Sequence, residues 1–246
     1  MEKHLVLVGG GHAHMVALEN ISRFVKKGYR VSVIGPSIYH YYSGMGPGML
    51  GQTYSPEQIR FATKDVVEDQ GGVFVKDYVT RIDPENRKVI TRSGNEILYD
   101  VVSCNAGSYI PMAAAGSEDE QQRKNVYPVK PIEKLLEASE KLLHLFRQKP
   151  VQVSIVGGGP SSAEIAGNVW QLAKNNGVHM PVIRIFCATR FMGRFSSAIS
   201  RRVKTVLEKR KVDCRAMRQK SADGGSHTYI HGAPLKRCHA CGTGYL

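Results

Sequence analysis

Apolar and polar positions change their period twice within the first 35 residues. Leu5-Val6-Leu7-Val8 is a short, continuous apolar run that ends in Gly9-Gly10-Gly11. Residues 13–26 then carry apolar positions at helical spacing, and residues 29–34 return to a strand-like run. The same order recurs half a chain later. An apolar run over 151–156 meets Gly157-Gly158-Gly159, a helical stretch follows over about 162–174, and a strand over 182–186. Each segment reads as a strand, glycine turn, helix and strand, the βαβ opening of a parallel sheet.

Between these units the pattern differs. Residues 36–55 hold Gly44, Gly46, Pro47, Gly48 and Gly51 among tyrosines, a composition that predicts a long irregular loop. Residues 73–82, 88–91 and 97–103 are rich in β-formers and are separated by Asp83-Pro84-Glu85-Asn86 and Ser93-Gly94-Asn95, which predicts a three-strand meander. Residues 113–123 read as a polar surface loop. Ile132, Leu135, Leu136, Leu142, Leu143 and Phe146 form an apolar stripe that predicts a helix over 131–147. Periodicity fades after Val212. The expected class is α/β with two Rossmann-like nucleotide-binding domains and a β-meander in the first. The expected domains are 1–115, a linker and helix over 116–149, and 150–246.

A glycine turn at a helix start lets backbone N–H groups approach a pyrophosphate, whose charge the helix dipole favours. Gly9 and Gly11 fill the first two glycine positions of the first motif, and the bulky His14 stands at the third. His12 and His14 read as polar groups near the phosphates or as helix-start residues without a catalytic partner. In the second motif Gly157, Gly159 and the small Ser162 take the three positions. The acid that usually ends the second strand and binds ribose is missing from both units. Its place falls near Gly35 in the first, which leaves Ser37 or the backbone, and near Cys187 in the second, with Arg190 soon after. An arginine there accepts a 2′-phosphate, so NADPH stays open beside NADH.

The 246 residues are 42% hydrophobic, enough for real cores, and no apolar run reaches the length of a membrane span. Four apolar residues before the first glycine are too few for a signal peptide, so a cytoplasmic setting is expected, with peripheral contact at the inner face of a membrane as its extension. Five scattered cysteines do not form a secreted disulfide framework. Charge is uneven: residues 1–150 hold 19 Lys/Arg against 17 Asp/Glu, a net of +2, and residues 151–246 hold 15 against 4, a net of +11. The basic run 201–220, together with Ile199, Val203, Val206 and Leu207 at helical spacing, predicts an amphipathic helix packed on a core. No aromatic residue lies between Phe195 and Tyr229, and no nucleic-acid motif is present, so no specific nucleic-acid partner is expected.

Five segments occur in a fixed order: Gly9-Gly10-Gly11-His12-Ala13-His14, Tyr42-Ser43-Gly44-Met45-Gly46-Pro47-Gly48, Tyr99-Asp100 leading to Asn105-Ala106-Gly107-Ser108, Val129-Lys130-Pro131, and Gly157-Gly158-Gly159-Pro160 with Glu164. Together they resemble the pyridine nucleotide–disulfide oxidoreductase superfamily. Within it the chain is most similar to the branch of type II NADH dehydrogenases, sulfide:quinone oxidoreductases and the flavoprotein domain sometimes fused to selenophosphate synthase. The resemblance runs from residue 5 to about residue 210.

It implies FAD on the first unit, with Gly9, Gly11, His12, Ala13 and His14 at its pyrophosphate and Ser37 toward its ribose. Ser43, Gly44 and Met45 would lie beside the isoalloxazine, and Ala106 and Gly107 would form the crossover. NAD(P)H would sit on Gly157, Gly159, Pro160, Ser161 and Ser162, with Glu164 toward the nicotinamide and Arg190 beside the ribose. Hydride would pass from NAD(P)H to the flavin and electrons onward to a quinone or similar small-molecule acceptor. That half-reaction requires no acid–base side chain, so no catalytic residue is expected.

Residues 36–55 contain no cysteine pair, which disfavours glutathione-reductase-like chemistry. Cys238-His239-Ala240-Cys241 follows the second glycine turn, the wrong order for a small thioredoxin reductase. With His227 and His231 it makes a set adequate for zinc, but in an order unlike a common finger, and no metal is expected. Gly242-Thr243-Gly244 resembles a second crossover instead. The family's return to the FAD domain, with its Gly-Asp motif, does not follow Tyr245, so the chain is expected to be C-terminally incomplete. The alternative function is a truncated, non-catalytic nucleotide-binding module that meets an acidic partner or a membrane surface through its basic half.

Overall fold

The apolar runs before the glycine turns become strands of two parallel sheets. In a computed structural model, which describes residues 2–110, 125–220, 226–230 and 233–234, the chain divides into two units. One comprises Met1–Tyr42 and Ile59–Ser108, the other Ser43–Gln58 and Tyr109–Leu246. In chain order the elements of the first half are β1 (Lys3–Val8), α1 (Met15–Glu19), α2 (Ile21–Lys26), β2 (Tyr29–Gly35), β3 (His40–Tyr41), α3 (Gly46–Leu50), α4 (Pro56–Ile59), β4 (Arg60–Phe61), α5 (Thr63–Glu68), β5 (Val73–Lys76), β6 (Val79–Asp83), β7 (Lys88–Thr91), β8 (Glu96–Leu98) and β9 (Val101–Cys104). The second half adds α6 (Glu133–Gln148), β10 (Gln152–Val156), α7 (Pro160–Asn175), β11 (Val182–Cys187), α8 (Ser197–Lys209), β12 (Asp213–Ala216), β13 (Arg218–Lys220), β14 (Ser226–Ile230) and β15 (Ala233–Pro234).

In the first unit the parallel sheet runs in the order β5-β2-β1-β9, with Leu5 opposite both Val31 and Val101. Strand periodicity sends alternate residues of β1 to opposite faces. Leu7 packs with Leu18, Ile21, Val31, Val33 and Val67 beneath the helices. Val6 and Val8 pack with Ile34 and Val89 beneath the antiparallel meander β6-β7-β8. Both faces are therefore covered, which explains why β1 reads as a continuous apolar run rather than an alternating one.

Three expectations change here. The β-rich stretch 73–82 divides: β5 joins the parallel sheet and β6 the meander, with Asp77 between them accepting the Tyr78 and Ser93 amides. The stretch 97–103 divides likewise between β8 and β9. The helix over 13–26 is a 3-10 turn, His12–His14, followed by α1 and α2, interrupted at Asn20. The Asn20 side-chain amide donates to the Val16 carbonyl at 2.7 Å, a local bond that competes with the helical pattern.

In the second unit β10, β11 and β12 form a parallel sheet, with Ile155 opposite Ile185 and Ile185 opposite Cys214. The glycine-rich stretch expected to be irregular contains a 3-10 turn, Ser43–Met45, and then α3. Tertiary packing overrides poor helix propensity there. Met49 and Leu50 are buried, a Cβ on Gly46 would touch Ile132 at 3.0 Å, and the Ser139 hydroxyl donates to the Leu50 carbonyl at 2.8 Å. Helix α6 buries Leu135, Leu143 and Phe146 of its expected stripe, together with Ala138, and leaves Leu136 and Leu142 half-buried. Helix α8 departs from expectation. Leu207 is its buried residue, whereas Ile199 and Val206 remain 47% and 43% exposed. The loop expected over 113–123 lies outside the described residues. So do His231, Cys238, Cys241 and Gly242-Thr243-Gly244, and the side chain of His227.

Candidate nucleotide sites

The first glycine turn is held from within its own unit. The Gly9 amide donates to the Ile34 carbonyl at 2.8 Å, and Gly9 has φ +87°, a conformation that favours glycine. The backbone then passes against the segment after β9: the Gly11 amide donates to the Asn105 carbonyl at 3.2 Å, and the Asn105 amide to the Val8 carbonyl at 2.8 Å. A Cβ on Gly9 would strike the Asn105 carbonyl and lie 2.7 Å from the Ala106 Cα, and one on Gly11 would strike the Asn105 side-chain amide. A Cβ on Gly10 would lie 3.1 Å from the Thr63 methyl.

His14, at the third glycine position, is 4% exposed and bonded at both ring nitrogens. Nδ1–H donates to the Gly9 carbonyl at 2.7 Å. Nε2 accepts from the Ser103 hydroxyl at 2.9 Å. The carbonyl can only accept, so it settles the tautomer. The imidazole ties turn, helix start and β9 together, the close packing a third glycine ordinarily permits. Among the described residues the Gly10, His12 and Ala13 amides have no acceptor, and His12 and Ala13 are exposed. That is a donor set suited to a diphosphate.

Strand β2 ends at Gly35 without an acid, and the half-buried Ser37 hydroxyl accepts the Tyr39 amide at 3.2 Å. Beyond it lies a cluster the sequence did not reveal. The His12 ring meets the His40 ring edge-on at 5.7 Å and the Tyr42 ring at 4.7 Å. His40 Nε2 is buried without a hydrogen-bond partner, and burial, with His12 beside it, holds the His40 pKa below the ordinary value. Ala106 and Gly107 are exposed after β9, with Gly107 at φ +74°. Ser43 and Gly44 are exposed and Met45 is half-buried, in the second unit.

The second turn is built differently. Gly157 has φ +137° and donates to the Phe186 carbonyl at 2.8 Å. Gly159 caps α7 in an extended conformation, and a Cβ placed on it would meet nothing within 4 Å. Pro160, with no N–H, takes the first turn of α7, where a missing donor costs nothing. Ser161 is exposed, and the buried Ser162 donates to the Gly159 carbonyl at 2.7 Å. An open glycine at the start of a 16-residue helix is a cradle that fits a pyrophosphate. Glu164 is exposed one turn further on.

The segment after β11 folds back onto this turn. The Met192 amide donates to the Gly158 carbonyl at 2.6 Å, and a Cβ on Gly158 would lie 2.7 Å from the Cys187 Cβ and 3.4 Å from the Arg190 carbonyl. Arg190 is exposed, and its guanidinium donates to the Gly193 carbonyl at 2.9 Å. Burial pushes the Cys187 thiol up and the Cys214 thiol up to about 11, so both are neutral. Among the described residues no group of three or more His, Cys, Asp or Glu could hold a metal, and no helix is long and apolar enough to cross a membrane.

Two parallel sheets, each with a glycine turn at the end of its first strand, define a two-nucleotide α/β protein. The model of the pyridine nucleotide-disulphide oxidoreductase family matches residues 3–232, and the chain belongs to that family. The family's fold binds FAD and NAD(P)H. The chain is 30% identical over 103 residues to the mitochondrial sulfide:quinone oxidoreductase of Dictyostelium discoideum, an overlap of 42% of this chain and 23% of that protein. Its fold is similar to sulfide:quinone oxidoreductase from Aquifex aeolicus, with TM-score 0.69 and 20% identity over 94% of this chain and 56% of the other. It is also similar to NDH2 from Plasmodium falciparum in complex with NADH, with TM-score 0.72 and 18% identity over 89% and 48%. The chain thus spans about a quarter of the curated relative and about half of these solved structures.

Proposed function

We propose that the protein is an FAD-dependent oxidoreductase that takes hydride from NAD(P)H and passes electrons to a quinone or similar small acceptor. The observation that carries this reading is the pair of strand–glycine turn–helix sites within a family match that spans both. FAD, when bound, supplies the electron storage, and the side chains supply position.

In this reading Gly9, Gly11, His12 and Ala13 offer the first turn's backbone to the FAD diphosphate, with Ser37 toward its ribose. His14 acts through the turn rather than on the phosphate, since both its nitrogens are engaged within the chain. Ser43, Gly44 and Met45 would flank the isoalloxazine, and Ala106 and Gly107 would lead from the first nucleotide to the second. Gly157, Gly159, Pro160, Ser161 and Ser162 would cradle the NAD(P)H pyrophosphate, with Glu164 toward the nicotinamide and Arg190 toward the adenosine ribose. The acceptor is argued from the sulfide:quinone oxidoreductase and NDH2 similarities, and a peripheral membrane setting accompanies a quinone acceptor.

The test is the anaerobic visible spectrum of the purified chain before and after addition of NADH and then NADPH. A flavin spectrum that bleaches supports the reading. A folded protein that stays colourless after incubation with FAD would sink it and favour the non-catalytic module.

A further inference from the structure

The first unit holds four histidines, and they fall into two kinds. His4 and His14 are buried and bonded at both ring nitrogens. His12 and His40 instead meet ring to ring beside the first glycine turn. No hydrogen bond engages the His12 ring among the described residues. Nε2 of His40 is, among those residues, the one buried side-chain nitrogen or oxygen without a hydrogen-bond partner. A polar atom taken out of water and left unpaired costs folding free energy, and an ion or ligand that reaches it removes that cost.

Both rings stand on fixed backbone. His12 opens the 3-10 turn that Gly11 caps, and the His14 amide returns to the Gly11 carbonyl at 2.9 Å. His40 lies opposite Phe61 in the β3-β4 ribbon. The Tyr42 amide donates to the carbonyl of the buried Ile59 at 2.8 Å, the Lys64 amide donates to the Ile38 carbonyl at 3.2 Å, and the Arg60 guanidinium stacks on the Tyr39 ring at 4.3 Å. The Tyr42 ring, tilted at 48°, supports His12 from 4.7 Å. Side chains positioned before a ligand arrives lose little freedom when it binds. Two imidazoles that share one zinc ion at the usual bond length of about 2.0–2.1 Å place their ring centres roughly 5–6 Å apart. The His12 and His40 centres are 5.7 Å apart, with their planes at 78°.

We propose that His12 and His40 together bind one divalent ion of the zinc, nickel and copper class, with water in its remaining positions, and that the ion ties the β3-β4 ribbon to the first glycine turn. Imidazole nitrogen suits these borderline ions, whereas magnesium and calcium take oxygen ligands. Two protein ligands make an open site, smaller than the sets of three or more that are absent among the described residues. The site stands apart from the dinucleotide reading, since it uses the two side chains and leaves the Gly10, His12 and Ala13 amides unengaged.

Titration of the untagged, metal-free chain with Co2+, followed by Zn2+ or Mg2+, tests this by binding alone. Co2+ is expected to bind with a visible spectrum of nitrogen and oxygen ligands and no thiolate charge-transfer band, and to be displaced by Zn2+ but not by Mg2+. His12→Gln and His40→Phe each leave a single imidazole and are each expected to weaken binding about a hundredfold, as loss of one arm of a chelate does. Zn2+ should also raise the urea midpoint of the native chain and leave that of either variant unmoved, because an ion that binds only the native state stabilises it. His12 is exposed, so His12→Gln carries the test even where His40→Phe does not fold. No saturable binding at about 1 mM ion, a dissociation constant too weak for two converging ligands, would overturn the site. Binding that neither variant weakens would overturn it as well. So would a thiolate band that disappears in a Cys238→Ser, Cys241→Ser double variant, which would place the ion on the C-terminal cysteines instead.

Discussion

The two glycine turns share a sequence pattern and differ in what fills the space around them. At Gly9–Gly11 the chain itself occupies the room a side chain would take: Asn105 lies against Gly9 and Gly11, Thr63 against Gly10, and His14 bridges Gly9 to Ser103. In the second turn Gly158 packs on Cys187, but at Gly159 the space is open, and the turn leads into an unbroken 16-residue helix. Glycine in the first turn is therefore required by folding as well as by any ligand. At Gly159 the fold does not require it.

That contrast breaks first at Gly9. Gly9→Ala adds a Cβ at positive φ against the Asn105 carbonyl and should destabilise the fold by about 3 kcal/mol, read as a lowered urea midpoint at unchanged m-value. His14→Ala removes two hydrogen bonds and a buried ring, for a loss of about 2 kcal/mol by the same measurement.

The Asn105 contact can be sharpened with a double-mutant cycle. Gly11→Ala should cost more in the native background than beside Asn105→Ala, by a coupling of about 1 kcal/mol. Gly159→Ala should leave stability within about 0.5 kcal/mol while weakening dinucleotide binding, because its Cβ would enter only the space a pyrophosphate needs. A loss of stability there equal to that of Gly9→Ala would erase the contrast.

The smallest effect is on pH dependence. Burial, and then Arg30, hold the pKa of His4 below its ordinary value of 6.5, and burial does the same for His40. The unfolded chain then binds more protons than the native one as pH falls, so stability is full above the ordinary histidine pKa and declines as pH drops through it. Urea midpoints taken from about pH 8 to about pH 5 should show that decline, and His4→Gln should flatten it.

Much of this molecule was legible in the sequence. The apolar runs at 5–8 and 151–156, the glycine triplets and the stripe of α6 depend on local period and turn chemistry, and they became β1, β10, the two turns and a buried helix face. Sequence alone also exposed the missing ribose acids and the basic second half, which are matters of composition.

Tertiary structure decided what depends on a distant partner. It assigned β5 and β9 to the parallel sheet rather than the meander, because a half-buried strand looks the same whichever neighbour it pairs with. It made a helix of the glycine-rich 46–50 by burying Met49 and Leu50. It tied the His14 ring to Gly9 and Ser103, a bracing role the sequence did not show, and left Ile199 and Val206 uncovered on α8. It also brought the rings of His12 and His40 together. Two histidines far apart in sequence read alike whether or not they meet, because no local period or turn chemistry couples them, and only the placement of β3 beside the first glycine turn decides it.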